Sequence, residues 1–430
     1  MRGALRGIRR AALVLAGAAS VVLFPGTAEA QANDGSRQAA IRAFVASDLG
    51  RAEELAGQWL AAHPKDAEMH LLLGLVRLTA GLGAEAQEQR PRNEIMALYS
   101  DALASLLEAE RLAAGRSLRQ LDAAVGSIHL ARGEHKAAEQ RFRKALAQAP
   151  ADAVLHRQRG KALLGLDRFT DADAELLRAI KLDPDEPAAR LLYAESLFQR
   201  GKERSARDSL TAYYERIRTT PPDSRHFQVS YEIARYSILM NELQTARTAL
   251  ERAVGIDPGS ALARSELGRV AFWQGEFELA ETQFDAVLAL RGVGSALRAD
   301  AWHHEGMIAR ARGDDVAAAL AFEAALRDTP DRAEVLQHYG AVLRRLGRES
   351  EARTVLDRFG AVATLENQAR RLRNLLIVSP RDASTRRELV DLLLRLGQHG
   401  EAASALAELQ RVQPDDPAIP ELERRMRDAR

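Results

Sequence analysis

The sequence predicts an all-α fold: a solenoid of about ten helix–turn–helix repeats closed by a C-terminal helix. Three observations carry this. Glycine, alanine and proline positions recur with a period of 34 residues, most plainly over residues 119–186, where one pattern is written twice. The apolar residues between those markers stand three and four apart, the spacing of one helix face. Aromatic residues make up only 5% of a chain that is 46% hydrophobic, which suits thin cores between many small helices.

The first close copy holds Gly126, Gly133, Ala138, Phe142, Ala145, Leu146 and Pro150. Gly160, Ala172, Leu176, Ala179, Ile180 and Pro184 follow 34 residues after their counterparts, with Asp167 in the place of Gly133. Leu121, Val125 and Ile128 mark a first helix, and Gly133-Glu134 breaks it. Ala138, Phe142, Ala145 and Leu146 mark a second. Pro150 ends that one, because proline lacks the N–H and clashes with the preceding turn. Asp152 then suits the cap of the next helix.

The small residues need a reason, since a glycine inside a helix costs about 1 kcal/mol against alanine. Gly74, Gly126, Gly160, Gly268, Gly306 and Gly340 share one repeat position, and close approach of two helix backbones is the expected return. Ala138, Ala172, Ala206, Ala246, Ala280, Ala318, Ala352 and Ala402 form a matching ladder, spaced 34, 34, 40, 34, 38, 34 and 50 residues apart. Such a period implies one continuous stack, each unit resting on its neighbours.

These residues resemble the tetratricopeptide repeat, a 34-residue helix–turn–helix with the pattern W-x2-L-G-x2-Y, then A-x3-F, then A and P. Trp302, Gly306, Ala318, Phe322, Ala325 and Pro330 match it in one repeat. Leu267, Gly268, Gly275, Ala280 and Phe284 match in a second, and Tyr339, Gly340, Gly347 and Ala352 in a third. The resemblance covers nearly all of residues 37–414 and implies a right-handed superhelical solenoid. It does not by itself imply a function.

Residues 1–30 are expected to be a cleavable secretory signal peptide. Arg2, Arg6, Arg9 and Arg10 precede an uncharged run of 14 residues, Ala11 to Phe24, and Ala28-Glu29-Ala30 has the small-x-small form of a cleavage site. A bilayer span needs about 20 residues, so no stable membrane span is expected after cleavage. The address expected is export, to the periplasm or beyond. Cysteine is absent, which excludes disulfides and acylation at an N-terminal cysteine. Leaving out Arg2, Arg6, Arg9, Arg10 and Glu29 changes the net charge from +1 to −2. A near-neutral chain gives no support for nucleic-acid binding.

Along the chain, residues 31–36 are polar and are expected to be a flexible N-terminus. The solenoid is expected over 37–414, with insertions near 81–93, 219–223, 292–298 and 359–365. Gly360 is expected to kink or break a long helix inside one extended repeat. In residues 415–430, Ile419, Leu422 and Met426 share one side of a charged helix, which reads as the cap that closes the stack.

No catalytic, cofactor or metal site emerges. His303 and His304 are adjacent and are expected to point apart, and the pairing of His303 with Met307 is a weak lead for a soft metal. The residue at 308 is not histidine, so the zinc-protease motif is absent. Gly160-Lys161 and Gly201-Lys202 lack the earlier glycine of a phosphate loop, and no glycine-x-serine-x-glycine elbow occurs. The chain reads as a non-enzyme without cofactor.

The groove is more informative. In the tetratricopeptide family the first helix of each repeat lines the concave surface, and its second, fifth, ninth and twelfth positions point inward. That resemblance places Arg157, Lys161, Phe198, Tyr231, Arg235, Arg269, Phe272, His303, Arg310 and Arg344 on a partner-binding groove, with Glu195 dissenting from the basic run. Two outcomes stand open: the basic residues hold acidic groups of a partner, or each pairs with a neighbouring glutamate. The function expected is a scaffold for a protein or peptide partner in assembly of envelope machinery, whether pilus, secretion or polysaccharide export. The alternatives are direct binding of an anionic polysaccharide, or service as accessory subunit of a separately encoded enzyme.

Overall fold

The computed structural model describes residues 35–86, 91–115, 118 and 120–428, so the expected leader lies outside the described residues. Every regular element among them is a helix, and there are twenty-one. They fall into two compact units, residues 1–242 and 243–430.

The first unit contains α1 (Gly35–Val45), α2 (Leu49–Ala62), α3 (Ala67–Ala86), α4 (Arg92–Ala113), α5 (Leu121–Ala131), α6 (His135–Gln148), α7 (Ala153–Leu164), α8 (Phe169–Leu182), α9 (Pro187–Gln199), α10 (Glu203–Ile217) and α11 (Ser224–Leu239). Consecutive helices pair as hairpins, and the second helix of each hairpin packs on the first helix of the next. The first helices α1, α3, α5, α7, α9 and α11 also touch one another in succession, so they form one layer of this unit.

The second unit contains α12 (Leu243–Ile256), α13 (Ala261–Trp273), α14 (Phe277–Ala289), α15 (Ser295–Ala311), α16 (Asp315–Asp328), α17 (Ala333–Arg345), α18 (Glu349–Val378), α19 (Ala383–Arg395), α20 (His399–Val412) and α21 (Ile419–Asp428). Here α13 packs on α15, and α21 packs on both α19 and α20. Ile419 and Leu422 of α21 are buried.

The alanine ladder is core: all eight alanines, from Ala138 to Ala402, are fully buried. The helix glycines make room for side chains as well as for a neighbouring backbone, since a Cβ at Gly74 would also meet the Ala102 carbonyl oxygen at 3.2 Å. A Cβ added at Gly126 would meet Phe142 at 2.9 Å, at Gly160 Leu176 at 2.7 Å, and at Gly340 Leu356 at 2.6 Å. In each case the obstacle is a large side chain sixteen positions later, on the partner helix. The glycine is the socket for that side chain, and at Gly160 the expected backbone approach accompanies it, with the Ala172 carbonyl oxygen 3.5 Å from an added Cβ. Between the two helices of a repeat the chain turns through a left-handed residue, Gly133 at φ 74° and its counterpart Asp167 at φ 56°. Aspartate tolerates that region better than most side chains, which is why the position need not be glycine.

Three expected insertions differ. The helix α3 runs on to Ala86 through the expected loop, because Gly81 lies against the ring of Tyr99 on α4 and Leu82 and Ala84 pack on the same core. The link near 292 is shorter than expected, since α15 starts at Ser295. The helix α18 continues through Gly360 for 30 residues, without the expected break. A single glycine costs about 1 kcal/mol in a helix, and burial of Val362, Ala369 and Leu372 along one side of α18 outweighs it.

Candidate functional site

In the first unit the predicted groove residues lie on α7, α9 and α11, neighbours in the first-helix layer. Arg157 approaches Glu186, its Nε 3.8 Å from Oε2. One turn on, Lys161 is exposed and makes no ion pair among the described residues. The ring of Phe198 tilts on Tyr236 at 5.4 Å, and Tyr231 stacks on Phe227 at 6.2 Å. Arg235 is exposed and donates to Glu232 at 2.9 Å and Glu195 at 3.4 Å, with its guanidinium over the Tyr236 ring. Glu195, which broke the basic run in the sequence, is therefore a partner of that run. Burial pushes the Glu232 carboxyl above its ordinary range, against the pull of Arg235.

In the second unit Arg269 donates to Glu266 at 2.8 Å and lies 5.0 Å from the ring of Trp273, which is 44% exposed. Phe272 is half-buried between Phe277 and His304. Arg310 is half-buried, Arg344 is exposed, and neither makes an ion pair among the described residues. The ten predicted residues thus divide. Arg157, Arg235 and Arg269 have glutamate partners, and Lys161, Arg310 and Arg344 keep their charge unpaired.

His303 is placed differently from the rest. It is 2% exposed, so it lies beneath the surface and not along an open groove. Its Nε2 is 3.0 Å from Nδ1 of His338 on α17, and its ring meets those of His338 and Phe322. Its Nδ1 is buried with no hydrogen-bond partner. Next to it, His304 donates from Nδ1 to the carbonyl oxygen of Asp300 at 2.8 Å and stacks on Phe284 at 5.0 Å. Asp300 accepts from Arg332 at 2.8 Å and from the Ser265 hydroxyl at 3.3 Å.

The two histidines do not point apart as their adjacency suggested. One ligand atom each from Asp300, His303 and His304 lie within 4.8 Å of one another. The reason is the helix: positions i, i+3 and i+4 share one face, so both imidazoles flank Asp300. The pattern Asp-x-x-His-His is legible in the sequence; measuring each histidine against residue 300, instead of against the other, finds it. Burial pushes His303 down to about 3, with help from His304, Arg332 and His338. Burial also lowers His304 and His338. At neutral pH these rings are uncharged, the form that accepts a proton or a metal ion.

A cleft of about 760 Å³ lies between α14, α15 and α16, with Trp302, Glu305, Leu320 and Arg312 in its lining. Burial, reinforced by Asp285 and Glu281, pushes Glu305 up to about 7.

Hairpins stacked through small-residue sockets, with basic and aromatic side chains on the first-helix layer, define a helical repeat protein of the interaction class. A tetratricopeptide repeat family model matches residues 157–224, 231–295 and 266–333, and the chain is a tetratricopeptide repeat protein. It is 28% identical over 276 residues to cellulose synthase operon protein C of Xanthomonas axonopodis pv. citri (strain 306). The match covers 64% of this chain and only 17% of that protein. Among solved structures, YrrB, described as a TPR protein with an unusual peptide-binding site, is 20% identical with a TM-score of 0.39, over 46% of this chain and 96% of its own. PilF of Pseudomonas aeruginosa is 19% identical with a TM-score of 0.41, over 51% of this chain and 95% of its own. No helix among the described residues is long and apolar enough to cross a membrane.

Proposed function

We propose that this chain is a non-enzymatic, exported scaffold that binds an acidic protein or peptide segment on the first-helix faces of its repeats, in assembly of cell-envelope machinery. The observation that carries the reading is the set of unpaired cations, Lys161 in the first unit and Arg310 and Arg344 in the second. A cation already held by a glutamate has little left for a ligand, whereas an unpaired one can form a charge-assisted bond to a carboxylate. Phe198, Tyr231 and Phe272 add half-buried aromatic surface of the kind that anchors peptide segments. The leader-like residues 1–30 support export. The relative named for a cellulose synthase operon favours polysaccharide export over pilus or secretion assembly.

The test is fluorescence anisotropy with labelled extended peptides, one series acidic and one with lysine in place of each acid. Lys161→Glu in one protein, and Arg310→Glu with Arg344→Glu in another, should each weaken acidic-peptide binding roughly tenfold, or about 1.4 kcal/mol. Arg235→Glu should do less. Equal binding of the two peptide series, or indifference to all these changes, rejects the reading. N-terminal sequencing of protein recovered from the periplasm should begin at Gln31; a retained Met1 rejects cleavage.

A second reading, direct capture of a polysaccharide, draws on the exposed Trp273 beside Arg269, since aromatic faces stack on sugar rings. Retarded migration in gels containing acidic glycan, with no affinity for acidic peptide, would select it.

A further inference from the structure

We propose that Asp300, His303 and His304 form a binding site for a divalent first-row transition ion of the zinc class, with His338 and Arg332 as its outer partners. The three side chains come from one helix, α15, so the backbone fixes their relative positions before any ion arrives. Each already has the second contact that orients a metal ligand. His304 gives its Nδ1 proton to the Asp300 carbonyl, which leaves Nε2 as its lone-pair nitrogen. His303 Nε2 meets His338, and the remaining nitrogen of His303, Nδ1, is buried with no partner at all. A buried nitrogen without a partner is an unfavourable arrangement in a protein that has no use for it. Asp300 gives one oxygen to Arg332 and the other to the hydroxyl of Ser265, a bond an ion can displace, with His304 Nδ1 3.6 Å from that second oxygen.

The donor set selects the ion. Two imidazoles and one carboxylate suit zinc and its neighbours, whereas calcium and magnesium take oxygen ligands. Three protein ligands leave a fourth position for water or an external donor. The guanidinium of Arg332 opposes a cation, and Arg269 adds to that opposition at Asp300. These two charges make the site weaker than a structural zinc site.

The experiment uses the full chain, stripped with chelator and titrated with zinc by calorimetry and with cobalt by visible absorption. One ion per chain and cobalt bands of nitrogen–oxygen ligation are expected. His303→Ala and His304→Ala should each abolish saturation, and His338→Phe should weaken binding roughly tenfold. His63→Ala and His70→Ala, on an exposed and a half-buried histidine far along the chain from α15, should change nothing. Should an alanine variant lose its helical circular dichroism, the near-isosteric Asp300→Asn serves in its place and must weaken binding. In the unaltered protein, zinc should raise the thermal midpoint and chelator should reverse the rise. Absence of saturation by about 1 mM zinc, or binding lost through His63 and His70 instead of His303, overturns the proposal.

Discussion

Gly306 on α15 lies against the ring of Phe322 on α16, so close that a Cβ at 306 would sit 2.6 Å from Cε1. The first helix thus gives up a side chain to seat an aromatic ring of the second. Replacing Gly306 by alanine pits two effects against each other. Helix propensity gains up to about 1 kcal/mol, but displacing a well-packed ring costs about 1–3 kcal/mol. The ring is fully buried and has nowhere to go. Gly306→Ala should therefore lower the unfolding free energy by about 1–2 kcal/mol in urea titration. Gly57, inside α2 with nothing within 4 Å of an added Cβ, supplies the opposite sign. Gly57→Ala should raise stability by about 0.5–1 kcal/mol. Two changes of the same sign would refute the socket explanation.

Arg159 on α7 links two repeats. It donates to Glu139 of α6 at 2.9 Å and to Glu175 of α8 at 2.9 Å. Glu139 is 5% exposed, so removing the guanidinium leaves a carboxylate with little water and only Arg143, 3.9 Å away and largely in solvent, as counter-charge. Arg159→Met should cost about 3 kcal/mol. Adding Glu139→Gln should recover much of that, because the uncompensated charge, more than the lost bond, is the penalty. A double variant no more stable than Arg159→Met would assign the loss to packing of the arginine stem.

The repeat was legible because its signal is periodic: the ladder alanines recur, and so do the socket glycines, of which only Gly74, filled by Leu106, departs from the common spacing. The occupant of the socket was legible too, since Phe142, Leu176, Phe284, Phe322 and Leu356 each stand sixteen residues after their glycine. Helix continuity through Gly81 and Gly360 was harder to see, because burial against a neighbouring helix overrides a local breaker, and burial is not a local property. Charge pairing was partly legible. Arg235 and Arg269 each have a glutamate three positions earlier, Glu232 and Glu266, which is helical contact distance. Lys161 and Arg344 have no acid three or four positions away on either side. Arg310 has Asp314, but that carboxylate caps α16 by accepting from the Ala317 amide. The contacts of His303 with His338 and of Asp300 with Arg332 join different repeats, and nothing within a single repeat announces them.

That pairing pattern has a consequence for stability. Truncating Arg235 leaves Glu232 half-buried without its counter-charge, so Arg235→Ala should destabilise the protein by up to about 1 kcal/mol. Arg344→Ala removes an exposed charge with no partner and should lie within about 0.5 kcal/mol of the parent. Denaturant midpoints of the two variants decide the matter. If Arg344→Ala were the more damaging, Arg344 would have a structural partner and would lose its place among the unpaired cations.

Asp382 caps α19, accepting from the amides of Ser384 and Thr385 and from both their hydroxyls. Those four donors favour the carboxylate and pull Asp382 down to about 2, the Thr385 bonds first, from an ordinary value near 3.8. The folded value lies below the unfolded one, so this cap contributes its full stability above pH 3.8 and loses it as pH falls through 2. Asp382→Asn keeps an acceptor oxygen for the amides but has no proton to gain. Its stability should lie below that of the parent at pH 6, and the gap should close between about pH 4 and pH 2. Urea midpoints across that range, with helical circular dichroism as the probe, give the difference directly. A gap that stays constant to pH 2 would show that the negative charge adds nothing to this cap, and that the neutral acceptor geometry does all of its work.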